Sequence, residues 1–196
     1  VSVGRLDLNS EGLILLNWTL YTWGIPLVCF LAASRLYTGP APLISGLPIS
    51  LASEPAASWN LRCPECPSGL RSFTRPTGML GEPLFRKVID ELAPTLSYLT
   101  FYFQGEPYLH SGFTDLVRYA ADKNIYTATS TNAHYLDESN ARKTIASGLD
   151  RLIISIDGTT QEAYAAYRIG GKLEKVIEGT RTLLRLRKEL KSTTPH

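Results

Sequence analysis

From residue 47 onward, short apolar β-prone runs alternate with stretches whose apolar residues recur at helical spacing. That rhythm constrains the fold more than any other feature of the chain. Strands separated by helices imply right-handed βαβ units and a parallel sheet. Leu47 to Ser53 reads as a first strand and residues 55–80 as a long loop rich in Pro, Gly, Ser and Thr. A helix follows from about Glu82, with Pro83 suited to its first turn and Leu84, Phe85, Val88, Ile89 and Leu92 on one face. Tyr98 to Phe103 is a second strand, and Phe113, Leu116, Val117 and Ala120 mark a second helix. Ile125 to Ser130 is a third strand. Asp137 is placed to cap a third helix that Gly148 ends. Arg151 to Asp157 contains Leu152-Ile153-Ile154, the continuous apolar run expected of a strand buried on both faces. Leu173, Val176, Ile177, Leu183 and Leu184 form the stripe of a final helix reaching about Leu190. The expectation is an α/β fold of about four βα units with parallel strands, part of a larger barrel because an apolar last strand needs a cover.

The chain has 196 residues, 44% of them apolar, which is enough for one real core. A formal charge of +2 gives no broad electrostatic reason to expect a nucleic acid partner. Residues 12–34 carry no charge and are long enough to span a bilayer. Asn17, Thr19, Thr22, Gly24 and Pro26 dilute that stretch, and the packed, helical or irregular reading is favoured over membrane contact. Three cysteines, Cys29, Cys63 and Cys66, do not make a secreted disulfide framework and fit a cytoplasmic setting. The domain plan expected is an N-terminal segment of uncertain origin over 1–46, a domain over 47–191 and a tail over 192–196.

In parallel α/β folds, ligands gather at the carboxyl ends of the strands. Polar clusters fall at all the expected strand ends. Cys63 and Cys66 follow the first strand, Gln104-Gly105-Glu106 the second, Thr131-Asn132 the third, and Ser155 with Asp157 close the fourth. Cys63-Pro64-Glu65-Cys66 is a thiol pair on a loop, a spacing typical of metal, cluster or redox sites. A zinc site would need a second pair of ligands, and His110, His134 and His196 are scattered along the chain.

Taken in order, these motifs over roughly residues 48–190 resemble the radical S-adenosylmethionine (radical SAM) superfamily, and most closely its SPASM/twitch-type branch. The resemblance implies a partial (β/α) barrel of the radical SAM type, which the irregular or helical N-terminal segment read from residues 12–34 would precede. It implies a 4Fe-4S cluster held by three cysteinates of a C-x-x-x-C-x-x-C loop, with S-adenosyl-L-methionine (AdoMet) on the open iron. Reductive cleavage of AdoMet then gives a 5′-deoxyadenosyl radical for hydrogen abstraction. Cys63 and Cys66 match the second and third ligands. Gln104-Gly105-Glu106 is similar to the family's G-G-E motif, in which the glycine admits the ligand and the glutamate accepts from its ammonium. Thr131, Asn132, Ser155 and Asp157 match residues lining the same pocket, and Tyr164 and Arg168 match a Y-x-x-x-R that follows. The partners implied are an electron donor protein and a peptide or small-molecule substrate.

In that register the first cysteine falls at residue 59, where this chain has Trp59. An indole donates a hydrogen bond and offers iron no lone pair. Cys29 is the only other cysteine available as a replacement. The expectation is therefore weak or absent radical chemistry, with a non-enzymatic AdoMet-binding or interaction module as the alternative. Val3-Gly4-Arg5-Leu6-Asp7 to Leu16 also resembles the G-R-L-D motif of small-subunit-type RNA pseudouridine synthases, where the aspartate, here Asp7, attacks uridine. The rest of that catalytic fold is not visible in the sequence, so RNA modification ranks last.

Overall fold

The computed structural model describes residues 46–72, 74 and 76–196. Within them, Leu47–His196 is one compact unit. Its sheet has four parallel strands in sequence order: β1 Ser50–Ala52, β2 Tyr98–Thr100, β3 Tyr126–Thr131 and β4 Arg151–Ile154. Ala52 pairs with Thr100, Thr100 with Ala128, and Ala128 with Arg151, so one row of residues crosses the whole sheet. The helices are α1 Pro67–Leu70, α2 Glu82–Leu92, α3 Phe113–Ala121, α4 Glu138–Ala146, α5 Gln161–Tyr167 and α6 Leu173–Glu189. The α/β partial barrel expected from the sequence is the fold observed.

The strands are shorter than their apolar runs. Strand pairing begins only at Ser50, and Leu47 and Ile49 stand half in solvent. Phe101 is buried beyond the end of β2, where the chain is already leaving the sheet for the site. β4 departs further from expectation. Its apolar residues are only half-buried, because it is an edge strand rather than one covered on both faces. Residues 192–196, set apart as a tail on sequence grounds, reach its outer edge. Leu152 N–H donates to the His196 carbonyl (3.0 Å), and His196 N–H donates to the Asp150 carbonyl (2.8 Å). That pairing occupies backbone groups that an open edge would leave to solvent.

Helix ends follow the predicted chemistry. Pro83 sits in the first turn of α2, and Asp137 caps α4 by accepting from Asn140 N–H at 2.8 Å. Gly148 follows α4 at φ +77, a left-handed conformation that glycine adopts without a Cβ penalty. The short helix α5 is not foreseen from periodicity. It is capped by Thr160, whose hydroxyl accepts from Ala163 N–H at 3.2 Å.

Two apolar clusters hold the unit together. Phe85 and Ile89 of α2 meet Leu99, Phe101 and the α3 residues Phe113, Leu116 and Val117. The ring of Phe101 stacks between Phe85 (5.1 Å) and Phe113 (5.7 Å). The second cluster joins Leu136, Ala141 and Ile145 to Tyr164 of α5 and to Leu173, Val176, Leu183 and Leu186 of α6. Tyr108 and Leu152 pack against both clusters and make the core continuous. Among the described residues no helix is long and apolar enough to cross a membrane. The apolar stretch 12–34 and Asp7 lie outside the described residues. Leu99 is fully buried at the centre of the sheet. Leu99→Ala should cost about 2–5 kcal/mol in urea unfolding, and a loss below about 1 kcal/mol would contradict this packing.

Candidate functional site at the strand ends

The cluster loop starts from a buried anchor. Leu61 and Cys63 are almost wholly buried, and Arg62 N–H donates to the Ile169 carbonyl at 3.0 Å, tying the loop to the segment after α5. Cys66 N–H then donates back to the Cys63 carbonyl (3.3 Å), closing a turn, and Cys66 leads into the helical turn α1. Gly69 is required there, because a methyl group at that position would run into the Cys63 backbone. From α1, Ser68 Oγ donates to the Gln104 carbonyl at 2.8 Å, so the thiol loop is fastened to the loop after β2.

That second loop is held from both sides. Glu54 Oε1 accepts from Gln104 N–H (2.8 Å) and Gly105 N–H (2.7 Å), and Glu106 N–H donates to the Ser58 carbonyl (2.8 Å). At Gly105 a methyl would overlap the Ala56 carbonyl. The glycine is thus demanded by the close approach of the 56–58 backbone, whereas the sequence reading gave that closeness to a ligand. Glu106 is also placed differently from expectation. Its side chain is fully buried. Oε1 accepts from Thr131 Oγ1 (2.7 Å) and Tyr108 N–H (3.3 Å), and Oε2 accepts from Asn132 N–H (3.0 Å). Burial pushes its carboxyl above the usual range, against the pull of these donors. Asn132 in turn donates from Nδ2 to Asn60 Oδ1 at 2.7 Å, linking the end of β3 to the thiol loop.

His134 extends this network. Lys172 N–H donates to its Nε2 at 2.9 Å, which leaves Nδ1 as the protonated nitrogen facing the Asn132 carbonyl at 3.0 Å. Burial lowers its pKa, in keeping with a ring whose Nε2 accepts from Lys172 N–H. Arg168, with a side chain only 12% exposed, is the junction of the remaining pieces. Nε donates to Asp157 Oδ2 at 2.6 Å and Nη1 to the Cys63 sulfur at 3.5 Å, and the guanidinium lies 5.9 Å from the Trp59 ring. Burial works against its charge, but the Asp157 bond and the Cys63 sulfur more than offset that and raise its pKa.

These loops enclose a cavity of about 220 Å³. Cys63, Cys66, Gln104, Gly105 and Ser155 line it together with Trp59, Tyr102, Phe103, Ser130, Tyr167 and Arg168. Glu106, Thr131, Asn132 and Asp157 are not in its lining. The first three bind one another, and Asp157 reaches the cavity through Arg168. Sequence reasoning misses the cavity residues Tyr102, Phe103, Ser130 and Tyr167 and the supporting residues Glu54 and Ser68. Only Glu54, an acidic residue just beyond the first strand, carried a signal that could have been noticed. A larger open groove of about 880 Å³ along α6 shares no lining residue with this cavity.

The cluster-binding side chains in the cavity lining are the thiols of Cys63 and Cys66, and Trp59 lines the same cavity. Trp59 Nε1 is buried without a hydrogen-bond partner, and it is a donor with no lone pair to give a metal. Among the described residues no group of three or more His, Cys, Asp or Glu is arranged to hold a metal ion. Cys29 lies outside them. The described residues therefore do not fit a cluster held by three cysteinates.

The radical SAM superfamily profile matches residues 60–195, and the chain belongs to that superfamily. The chain is 28% identical over 141 residues to an AdoMet-dependent heme synthase of Methanosarcina barkeri, covering 71% of this chain and 40% of that protein. It is 30% identical over 136 residues to the mycofactocin maturase MftC of Mycobacterium ulcerans, covering 69% and 36%. It thus spans about two fifths of the length of the curated relatives it matches. Among solved structures, anSMEcpe with bound AdoMet superposes with a TM-score of 0.60 at 22% identity, covering 71% of this chain and 42% of that one. Streptococcus suis SuiB bound to precursor peptide SuiA gives 0.61 at 14% identity, covering 73% and 32%. These two likenesses show the shared fold.

Because burial raises the Glu106 pKa, the folded state binds its proton more tightly than the unfolded chain does. Its contribution to stability is present below the unfolded value and lost as pH rises through the folded one. Relative to Glu106→Gln, the native chain should lose stability as pH is raised above about 4, the ordinary carboxyl range, in urea titrations. Parallel profiles, or a difference of opposite sign, would refute a buried, proton-retaining Glu106.

Proposed function

We propose that this chain is the AdoMet-binding part of a SPASM/twitch-type radical SAM protein in which Trp59 has replaced the first cluster cysteine. Reductive AdoMet cleavage is accordingly weak or absent. The observation that carries this reading is the shared cavity wall: Trp59 lines the same cavity as Cys63 and Cys66. Cys63 and Cys66 take the second and third ligand places. Gln104, Gly105 and Ser155, which also line the cavity, are assigned to AdoMet. Glu106, Thr131 and Asn132 act as positioning residues that hold the strand ends, and Asp157 orients Arg168.

The lineage supplies the ancestral role. With a complete cluster, such a domain generates a 5′-deoxyadenosyl radical for hydrogen abstraction. A peptide substrate is favoured, since relatives include a PqqA peptide cyclase of Rhodopseudomonas palustris and the SuiB structure holds a precursor peptide. The working division of the chain is 1–46, 47–191 and 192–196, in a cytoplasmic setting with an electron donor protein as partner.

Anaerobic iron–sulfur reconstitution of the native chain beside Trp59→Cys tests the reading. Trp59→Cys should take up about four irons and cleave AdoMet at least about tenfold faster than the native chain. Equal iron and equal cleavage in the native chain, abolished by Cys63→Ala, would overturn the assignment of Trp59. Iron in neither protein would overturn Cys63 and Cys66 as cluster ligands.

A further inference from the structure

We infer that Cys63 and Cys66 form a reversible thiol–disulfide couple, oxidised by exchange with low-molecular-weight disulfides. This rests on the proposed lack of a three-cysteinate cluster, which leaves both sulfurs uncommitted. The turn closed by Cys66 N–H on the Cys63 carbonyl (3.3 Å) is the first support. Such a turn keeps its first and fourth Cα atoms within about 7 Å. A disulfide spans Cα separations of about 4.4–6.8 Å, so the backbone already stands close to the geometry the bond requires. Both residues line the one cavity, and both are free thiols.

The turn is also braced on each side. Gly69 lets α1 close onto the Cys63 backbone, and Ser68 fastens α1 to the Gln104 carbonyl. Little ordering remains to be done when the ring closes.

The two sulfurs are not equivalent. Cys63 is 1% exposed, whereas Cys66 is half-buried and is the one an incoming disulfide reaches. The Cys66 thiolate attacks one sulfur of RSSR, and RS⁻ departs and takes a proton from solvent. The Cys63 thiolate then attacks Cys66 Sγ in the mixed disulfide, and a second RS⁻ leaves and is protonated. Two protein thiols are oxidised by two electrons and one RSSR is reduced to two RSH. In the reverse direction Cys63 is the leaving group. Arg168 Nη1, 3.5 Å from its sulfur, is positioned to stabilise the negative charge that appears there.

The test equilibrates the native chain with glutathione redox buffers under anaerobic conditions, followed by acid quench, alkylation, peptide mapping and iron analysis of the same samples. Free thiols at residues 63 and 66 should fall together from two to none as the buffer becomes oxidising. They should return on reduction, with one internal Cys63–Cys66 linkage in the map. The same result is expected in Cys29→Ser, which removes the third thiol from the reaction. A stable glutathione adduct on Cys66, a linkage to Cys29, or two thiols that stay free in fully oxidised glutathione would each overturn the couple. Thiols that stay free without iron sink this inference alone. Iron retained on the two sulfurs of the native chain would sink it together with the reading it rests on.

Discussion

The buried carboxylate of Glu106 is the contact on which the strand-end architecture depends. It accepts from Thr131 Oγ1 and Asn132 N–H at the end of β3 and from Tyr108 N–H in its own loop. Without this carboxylate the Thr131 hydroxyl and the Asn132 N–H at the end of β3 would be buried with no acceptor, a cost of about 1–3 kcal/mol each. Its charge is itself costly to bury, which is why its proton is held more tightly than usual. Once Glu106 is fixed, Asn132 is aimed at Asn60, and Glu106 N–H is fixed on Ser58, so both flanks of Trp59 are tied to the sheet.

The thiol side of the cavity is assembled by a second junction. Arg168 joins Asp157, Cys63 and Trp59 in one half-buried contact set. The two junctions meet through the segment 58–63, which carries Trp59 between Asn60 and Cys63. Protein contacts alone thus bring together the ends of all four strands. An incoming ligand meets loops that are already positioned, and little ordering remains to oppose its binding.

Much of this was legible in the sequence, for definite reasons. Apolar periodicity located α2, α3 and α6 because each buries one face, and it ordered the strands because parallel βαβ units allow few alternatives. The strand-end rule then put Cys63, Cys66, Gln104, Gly105 and Ser155 on one cavity. Three things lay beyond its reach. Periodicity cannot tell an edge strand from a central one, so Leu152-Ile153-Ile154 suggested full burial where a half-exposed edge is found. A helix of seven residues such as α5 is too short to show a stripe and is fixed mainly by its Thr160 cap. A motif names Glu106 without saying which way the carboxylate turns. That direction is set by Thr131 and Asn132, 25 and 26 residues further along the chain.

Native-state hydrogen exchange on the metal-free chain, read at the Glu106 and Asn132 amides, tests most directly whether protein contacts alone hold the strand ends. Both should exchange at least about 10³-fold more slowly than an unstructured chain, within about tenfold of the β3 amides. Exchange at the unstructured rate, with protection appearing only when iron, sulfide and AdoMet are added, would contradict the account.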